Sequence, residues 1–166
     1  MTGLYNVSNV VAAIALGEHF GVSYEVGLTA VASYVPTNQR SQLIKTERNT
    51  LIADAYNANP SSMKASIRSF KLQNESAKSL LILEDMLELG GESIEYHQGI
   101  LELVDSFGIG YITVGPLFAT ANEKSENSYS TIQELIDSKR LAEISGTNIL
   151  IKGSRGMKLE RSFEFL

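Results

Sequence analysis

Four short segments combine residue types that hold and orient anions and amines. The longest runs Asp54-Ala55-Tyr56-Asn57-Ala58-Asn59-Pro60-Ser61-Ser62-Met63. Asp54 could accept from ribose hydroxyls, and the N–H groups of a helix opened by Asn59 and Pro60 would suit an anion. The same letters also make a sound strand-to-helix turn, since Asn caps and Pro fills the first helical position. An acid beside two amides exceeds what such a turn requires. The second segment is Lys152-Gly153-Ser154-Arg155-Gly156-Met157. Its glycines permit close backbone approach, and Lys152, Ser154 and Arg155 offer donors to a carboxylate or phosphate. A glycine turn with solvated charges is the plainer alternative.

The third segment, Leu83-Glu84-Asp85-Met86-Leu87-Glu88-Leu89-Gly90, carries acids that could reach Mg²⁺ through water. A solvated acidic loop explains them more simply, and His97 on the helix that follows reads as structural. The fourth is Tyr5-Asn6-Val7-Ser8-Asn9, where Asn6 is a natural N-cap and Asn9, a turn later, is placed to read a base edge. Arg40 stands apart from all four and could reach a phosphate.

Composition narrows the classes of function. The 166 residues are 43% hydrophobic and 20% charged, which is ordinary for a globular chain. A net charge of −5 gives no general pull on nucleic acid or an anionic membrane. The absence of cysteine removes disulfides and thiolate metal sites, and two histidines are too few for a histidine-rich one. No apolar run is long enough to span a bilayer, and the start resembles no signal sequence, so a cytoplasmic location is the default expectation. Neither Gly-x-x-x-x-Gly-Lys-Ser/Thr nor Gly-x-Gly-x-x-Gly occurs, so a phosphoryl-transfer reaction lacks its usual cradle in these residues.

The elements that must position these segments come in two textures. From Asn6 to about Val35 the apolar spacing is helical, broken at Gly21, with Ser23 able to cap the second helix and Pro36 to stop it. A lone pair of apolar helices ahead of a complete α/β domain reads as the tail of something else; the plainer alternative is that both helices cover one face of a sheet. From Ser41 the pattern is strand, turn and helix. Ser41–Thr46 and Thr50–Tyr56 predict a hairpin. Further strands are expected over Leu80–Leu83, Tyr111–Val114 and Asn148–Ile151. Helices are expected from Asn59 to about Leu72, from about Ser93 to Phe107, from Thr131 through about Ile144, and over Met157–Leu166. Asn122–Ser130 reads as a polar loop. Alternation of this kind predicts a doubly wound, Rossmann-like α/β fold: a mostly parallel sheet with an antiparallel edge hairpin. The first three segments then fall at or beside the carboxyl ends of strands, where open α/β sheets bind ligands.

Taken in order, Tyr5-Asn6-x-x-Asn9-x-x-Ala12-Ala13, Asn38-Gln39-Arg40, Asp54 through Met63, Asp85-Met86-x-Glu88-Leu89-Gly90 with His97, and Lys152-Gly153-Ser154-Arg155-Gly156 resemble the Mur ligases. The resemblance covers essentially the whole chain. It implies that residues 1–37 are the last helices of a central ATPase domain and residues 38–166 the C-terminal domain. The Tyr-Asn-Ala-Asn-Pro element and the Glu-Leu-Gly loop are most similar to the branch that adds D-alanyl-D-alanine to UDP-N-acetylmuramoyl-tripeptide in peptidoglycan synthesis.

In that branch ATP phosphorylates the tripeptide carboxylate and the dipeptide amine attacks, with Mg²⁺ and cationic groups stabilising charge. The resemblance implies Asn6 and Asn9 near adenine, Arg40 near the phosphates, Asp54 at the ribose and Tyr56 beside the nucleotide. Asn57 and Asn59 would border the γ-phosphate and dipeptide, and Lys152, Ser154 and Arg155 would hold the dipeptide carboxylate. The phosphate loop and the UDP site are expected upstream of Met1, with ATP and Mg²⁺ held mainly there, so the chain alone is expected to be inactive. Apolar surface left by a missing domain would give weak self-association. Two residues depart from the family pattern: Tyr5 where histidine is common, and Glu84 where glycine is usual, which would narrow the loop beside the dipeptide pocket. The alternative function is a non-enzymatic doubly wound regulatory or small-ligand module, which would need paired acids after the first strand, where Asp54 stands alone.

Overall fold

The computed structural model describes residues 6–122, 125–154 and 159–166. Among them, six strands form one sheet: β1 (Gln42–Lys45), β2 (Thr50–Asp54), β3 (Ser79–Glu84), β4 (Gly110–Val114), β5 (Ser128–Tyr129) and β6 (Asn148–Lys152). Their order is β1-β2-β6-β3-β4-β5. β1 runs antiparallel to β2, and every other pairing is parallel, as the alternating pattern predicts.

Side-chain alternation along the central strands builds two cores. Leu81, Leu83 and Leu150 point to one face, under α3 (Pro60–Gln73) and α4 (Ser93–Phe107), where they meet Met63, Ile67, Phe70, Ile100 and Val104. Ile82, Ile149 and Ile151 point to the other, where Leu135, Leu141, Leu159 and Leu166 cover them. Register then aligns the carboxyl ends: Asp54 lies opposite Lys152, Lys152 opposite Leu83, and Glu84 opposite Val114.

Several elements differ from the sequence reading for identifiable reasons. The expected helix from Thr131 stops as α6 (Ile132–Asp137), and a 3₁₀ turn follows over Arg140–Glu143. A continuous helix would carry Leu141 about 120° away from the inward face of Leu135. Left-handed Lys139 (φ 60°) resets the direction and buries Leu141. The polar stretch 122–130 contains the two-residue strand β5, too short to show a period, and α5 (Pro116–Ala121) precedes it with Pro116 in its first turn. The closing helix is a 3₁₀ segment over Leu159–Phe165, and Met157 lies outside the described residues.

α1 (Val7–His19) and α2 (Tyr24–Ser33) pack against each other, and no residue of either helix is buried. They therefore cover neither face of the sheet. Left-handed Gly21 (φ 84°) turns the chain between them. Asn6 does not cap α1: it has helical dihedrals and makes no side-chain cap bond. Ser23 occupies the N-cap of α2 without a side-chain bond.

Candidate functional site

A cleft of about 320 Å³ opens at the carboxyl ends of β2 and β6. Asn6 just ahead of α1 and Asn9 within it, Arg40 and Ser41 from the link to β1, and Asp54, Tyr56, Asn57, Asn59 and Lys152 line it. Ser62 and Ser66 of α3 complete the wall. Residues scattered from 6 to 152 are thus brought to one place. Ser154 does not line this cleft, and Arg155 and Tyr5 lie outside the described residues.

The floor is a buried polar network. Lys152 is 2% exposed, and its Nζ lies 2.9 Å from Asp54 Oδ2 and donates to the Asn57 carbonyl at 3.0 Å. Asp54 also accepts from Ser66 Oγ (2.8 Å) and from the Ser41 N–H (3.2 Å). The Asn6 amide donates to Ser41 Oγ (3.2 Å), and Asn9 donates to Asn6 Oδ1 (3.3 Å). A hydrogen-bonded line therefore runs from the start of α1 to the ends of β2 and β6. In the sequence reading Lys152 contacts ligand; in the fold its cation is engaged by Asp54 and Asn57.

Above the floor, the Arg40 guanidinium lies 3.7 Å from the centre of the Tyr56 ring. This stacking orients a cation that still presents donors at its edge. Gln39 (φ 58°) and Ser41 (φ 53°) flank Arg40 in the left-handed region without being glycine. Such conformations cost on the order of 1 kcal/mol each and persist where neighbours enforce them. Here the Ser41 N–H is held by Asp54, and the Gln39 N–H by Gln42 Oε1 at 3.2 Å. No glycine marks this segment, so sequence gave no sign of it.

The N-terminus of α3 offers an anion less than its sequence suggests. Asn59 Oδ1 accepts from the Ser62 N–H at 2.9 Å, and the Asn59 N–H donates back to Ser62 Oγ at 3.1 Å. Pro60 has no N–H, and the Met63 N–H bonds the Asn59 carbonyl. The turn is closed on itself by a reciprocal capping box.

The loop after β3 is not a solvated acidic loop. Glu84 and Asp85 are 0% and 1% exposed, whereas Leu87 and Glu88 face solvent. The Asp85 carboxylate accepts from the Leu117 and Phe118 N–H groups at 2.9 and 2.8 Å, which anchors the start of α5. Burial raises its carboxyl above the usual range, and the two N–H bonds and His97 partly oppose this. Gly115 (φ 123°) is obligatory there, because a Cβ would lie 2.2 Å from Asp85 Cγ. His97 is structural: Nε2 accepts from the Met86 N–H at 3.0 Å, Nδ1 bonds the Ser93 carbonyl, and the ring meets Phe118 edge-on. Ser154 Oγ donates to the Asp85 carbonyl at 3.0 Å, joining this loop to the segment after β6. The roles of Ser41 and Ser66 as donors to Asp54, of Ser62 in the cap and of Asp85 as the anchor of α5 were not foreseen, because short polar residues in turns carry no distinguishing spacing.

Comparison with known proteins fits this geometry. The family described as "Mur ligase, glutamate ligase domain" matches residues 39–155. The UDP-N-acetylmuramoyl-tripeptide–D-alanyl-D-alanine ligase of Bacillus subtilis is 35% identical over 168 residues, covering 95% of this chain and 37% of that protein. A crystal structure of MurF from Acinetobacter baumannii superposes with a TM-score of 0.82 at 27% identity, covering 98% of this chain and 37% of that one. MurF from Thermotoga maritima in complex with ADP shares the fold, with a TM-score of 0.77 at 23% identity over 95% of this chain and 36% of that one. The chain thus spans a little over a third of the length of these relatives. On the span of the family match, and with the motif residues Asn6, Asn9, Arg40, Asp54 and Lys152 meeting at one cleft, the chain belongs to the Mur ligase family and carries its glutamate ligase domain.

Proposed function

We propose that this chain is the nucleotide- and acceptor-contacting C-terminal part of an ATP-dependent, cytoplasmic ligase that joins D-alanyl-D-alanine to UDP-N-acetylmuramoyl-tripeptide. The observation that carries the reading is the meeting of Asn6, Asn9, Arg40, Asp54, Tyr56, Asn57, Asn59 and Lys152 at one cleft. Relatives of that name and about 30–35% identity align along most of the chain.

Within this reading residues 1–37 belong to the central ATPase domain and residues 38–166 form the C-terminal domain. Two helices with no buried residue support that division. Arg40, seated over the Tyr56 ring, supplies donors suited to a phosphate, and Asn6 and Asn9 present amides suited to a base edge. Asp54 reaches a ribose as a carboxylate already fixed by Ser41, Ser66 and Lys152. Asn57 and Asn59 border the reacting end, and Ser154 and Arg155 take the dipeptide carboxylate, with Lys152 supporting them from the floor. ATP supplies the phosphoryl group that activates the tripeptide carboxylate. In this reading Mg²⁺ is held chiefly by the other parts of the ligase, together with the ATP phosphates.

Lacking a phosphate-binding loop, the 166 residues alone make no product from UDP-N-acetylmuramoyl-tripeptide, ATP–Mg²⁺ and D-alanyl-D-alanine; product from the chain alone overturns that statement. A chimera tests the rest, with this chain replacing the matching part of the Bacillus subtilis ligase. The expected result is restored ligation that falls at least tenfold with Arg40→Ala. A folded chimera that binds nucleotide yet makes no product, or one indifferent to Arg40→Ala, overturns the reading.

A further inference from the structure

Glu84 ends β3 on the face of the sheet that carries Leu159 and Leu166, with its side chain wholly buried and neither carboxylate oxygen hydrogen bonded. Buried carboxyl groups are nearly always partnered, so this one calls for a reason. Its close neighbour is Gly153, the first residue after β6. A Cβ on Gly153 would lie 2.6 Å from Glu84 Cβ and 2.4 Å from its Oε2. Gly153 is not in the left-handed region, so space and not backbone conformation excludes a side chain there. The next residues of each segment also touch, through Ser154 Oγ on the Asp85 carbonyl. The end of β3 is therefore the seat on which the segment after β6 rests.

The charges around this seat are mostly negative. Burial first, then the carboxylates of Asp85 and of Glu160 on the closing 3₁₀ segment, push the Glu84 carboxyl up to about 8. His97 on α4 faces Asp85, at 3.7 Å. Lys152 on β6 is engaged by Asp54 and Asn57 on the opposite face of the sheet. β4 contributes Val114 and then Gly115, neither charged. Arg155 and Lys158 lie outside the described residues.

We propose that Glu84 is a positioning residue for the acceptor-binding segment after β6: neutral, it lies beneath Gly153 and seats Ser154 on the Asp85 carbonyl; ionised, it displaces that segment and loosens the acceptor end of the site. The acceptor part of the statement rests on the reading of Ser154 and Arg155 given under the proposed function. The sign follows from the raised carboxyl. The folded state favours the neutral form, so this contribution is complete below the ordinary value of 4.5 and is lost as pH rises through about 8.

The test is a pH series of amide NMR spectra on the whole chain. The Gly153 and Ser154 signals should move together with a midpoint near 8, and in Glu84→Gln they should keep their low-pH positions throughout. Signals that stay fixed in the wild type, or that move equally in Glu84→Gln, overturn the proposal. If Glu84→Gln does not fold, Glu84→Gly carries the same comparison. A steric arm stands apart from titration: Gly153→Ala should lower Tm in the wild type and be nearly neutral beside Glu84→Gly, and equal losses in both backgrounds overturn the coupling. Adding millimolar D-alanyl-D-alanine separates the two readings. Perturbation of Gly153 and Ser154 that weakens several-fold at high pH supports the proposal. No perturbation at any pH overturns the acceptor assignment of this segment, while the Glu84 coupling is judged on the other two arms.

Discussion

Asp54 and Lys152 show what a residue list can and cannot disclose. Both stood out in the sequence because a strand ends at each, and both were read as ligand contacts. Their mutual pairing was invisible, since it depends on β6 inserting between β2 and β3 and on a register that sets Asp54 against Lys152. Removing one member of a buried pair leaves an uncompensated charge, at about 3–5 kcal/mol in typical cases. Asp54 keeps Ser41 and Ser66 as donors, so Lys152→Met should fall at the lower end, about 3 kcal/mol by urea unfolding. A loss below about 1 kcal/mol would place the lysine in a merely screened, surface-like role. Arg40 is the opposite case. Its cation is read from the sequence as able to reach a phosphate, which stays a proposal; the left-handed backbone around it and its seat on Tyr56 were not legible, because Gln39 and Ser41 are ordinary letters for a loop.

Among elements, legibility followed length and punctuation. α4 was read to the residue, because its apolar period is long and Gly108 (φ 63°) ends it in the left-handed cap that glycine favours. α3 was read from its Asn-Pro start. β5 and α5 were not read, because two strand residues and six helical ones are fixed by tertiary partners: β4 for the first, and the Asp85 carboxylate for the second. α3 also has a positional duty, since it carries Ser66 to Asp54 and Met63, Ile67 and Phe70 into the core. Its start depends on the Asn59–Ser62 box, so Asn59→Ala should cost about 1 kcal/mol by thermal or urea unfolding. Asn59→Asp, which keeps the accepting oxygen, should recover most of it. Equal losses for the two substitutions would show that the amide nitrogen, and not the cap, is what matters at this position.

At the scale of the whole molecule the two textures seen in the sequence become two differently finished surfaces. Between the sheet and its covering elements, core residues are close to fully buried. On α1 and α2, by contrast, Val11 is 60% exposed, Leu16 64% and Val26 59%. A cleft lined by Val10, Ala13, Ala30, Val31 and Tyr34 adds further apolar surface on the same helix pair. Exposed apolar side chains gathered on one helix pair favour association with a partner surface. In the proposed reading the rest of the ligase covers it; in the chain alone it has only other copies to meet. Sedimentation velocity over a wide concentration range should therefore show weak, reversible association, reduced when Val11 and Leu16 are both replaced by lysine. Because no residue of α1 is buried, those replacements should leave the unfolding midpoint nearly unchanged. A chain monomeric at every concentration would remove self-association from the reading. Association that the lysines leave untouched would move the sticky surface away from the helix pair and weaken the assignment of residues 1–37 to a neighbouring domain.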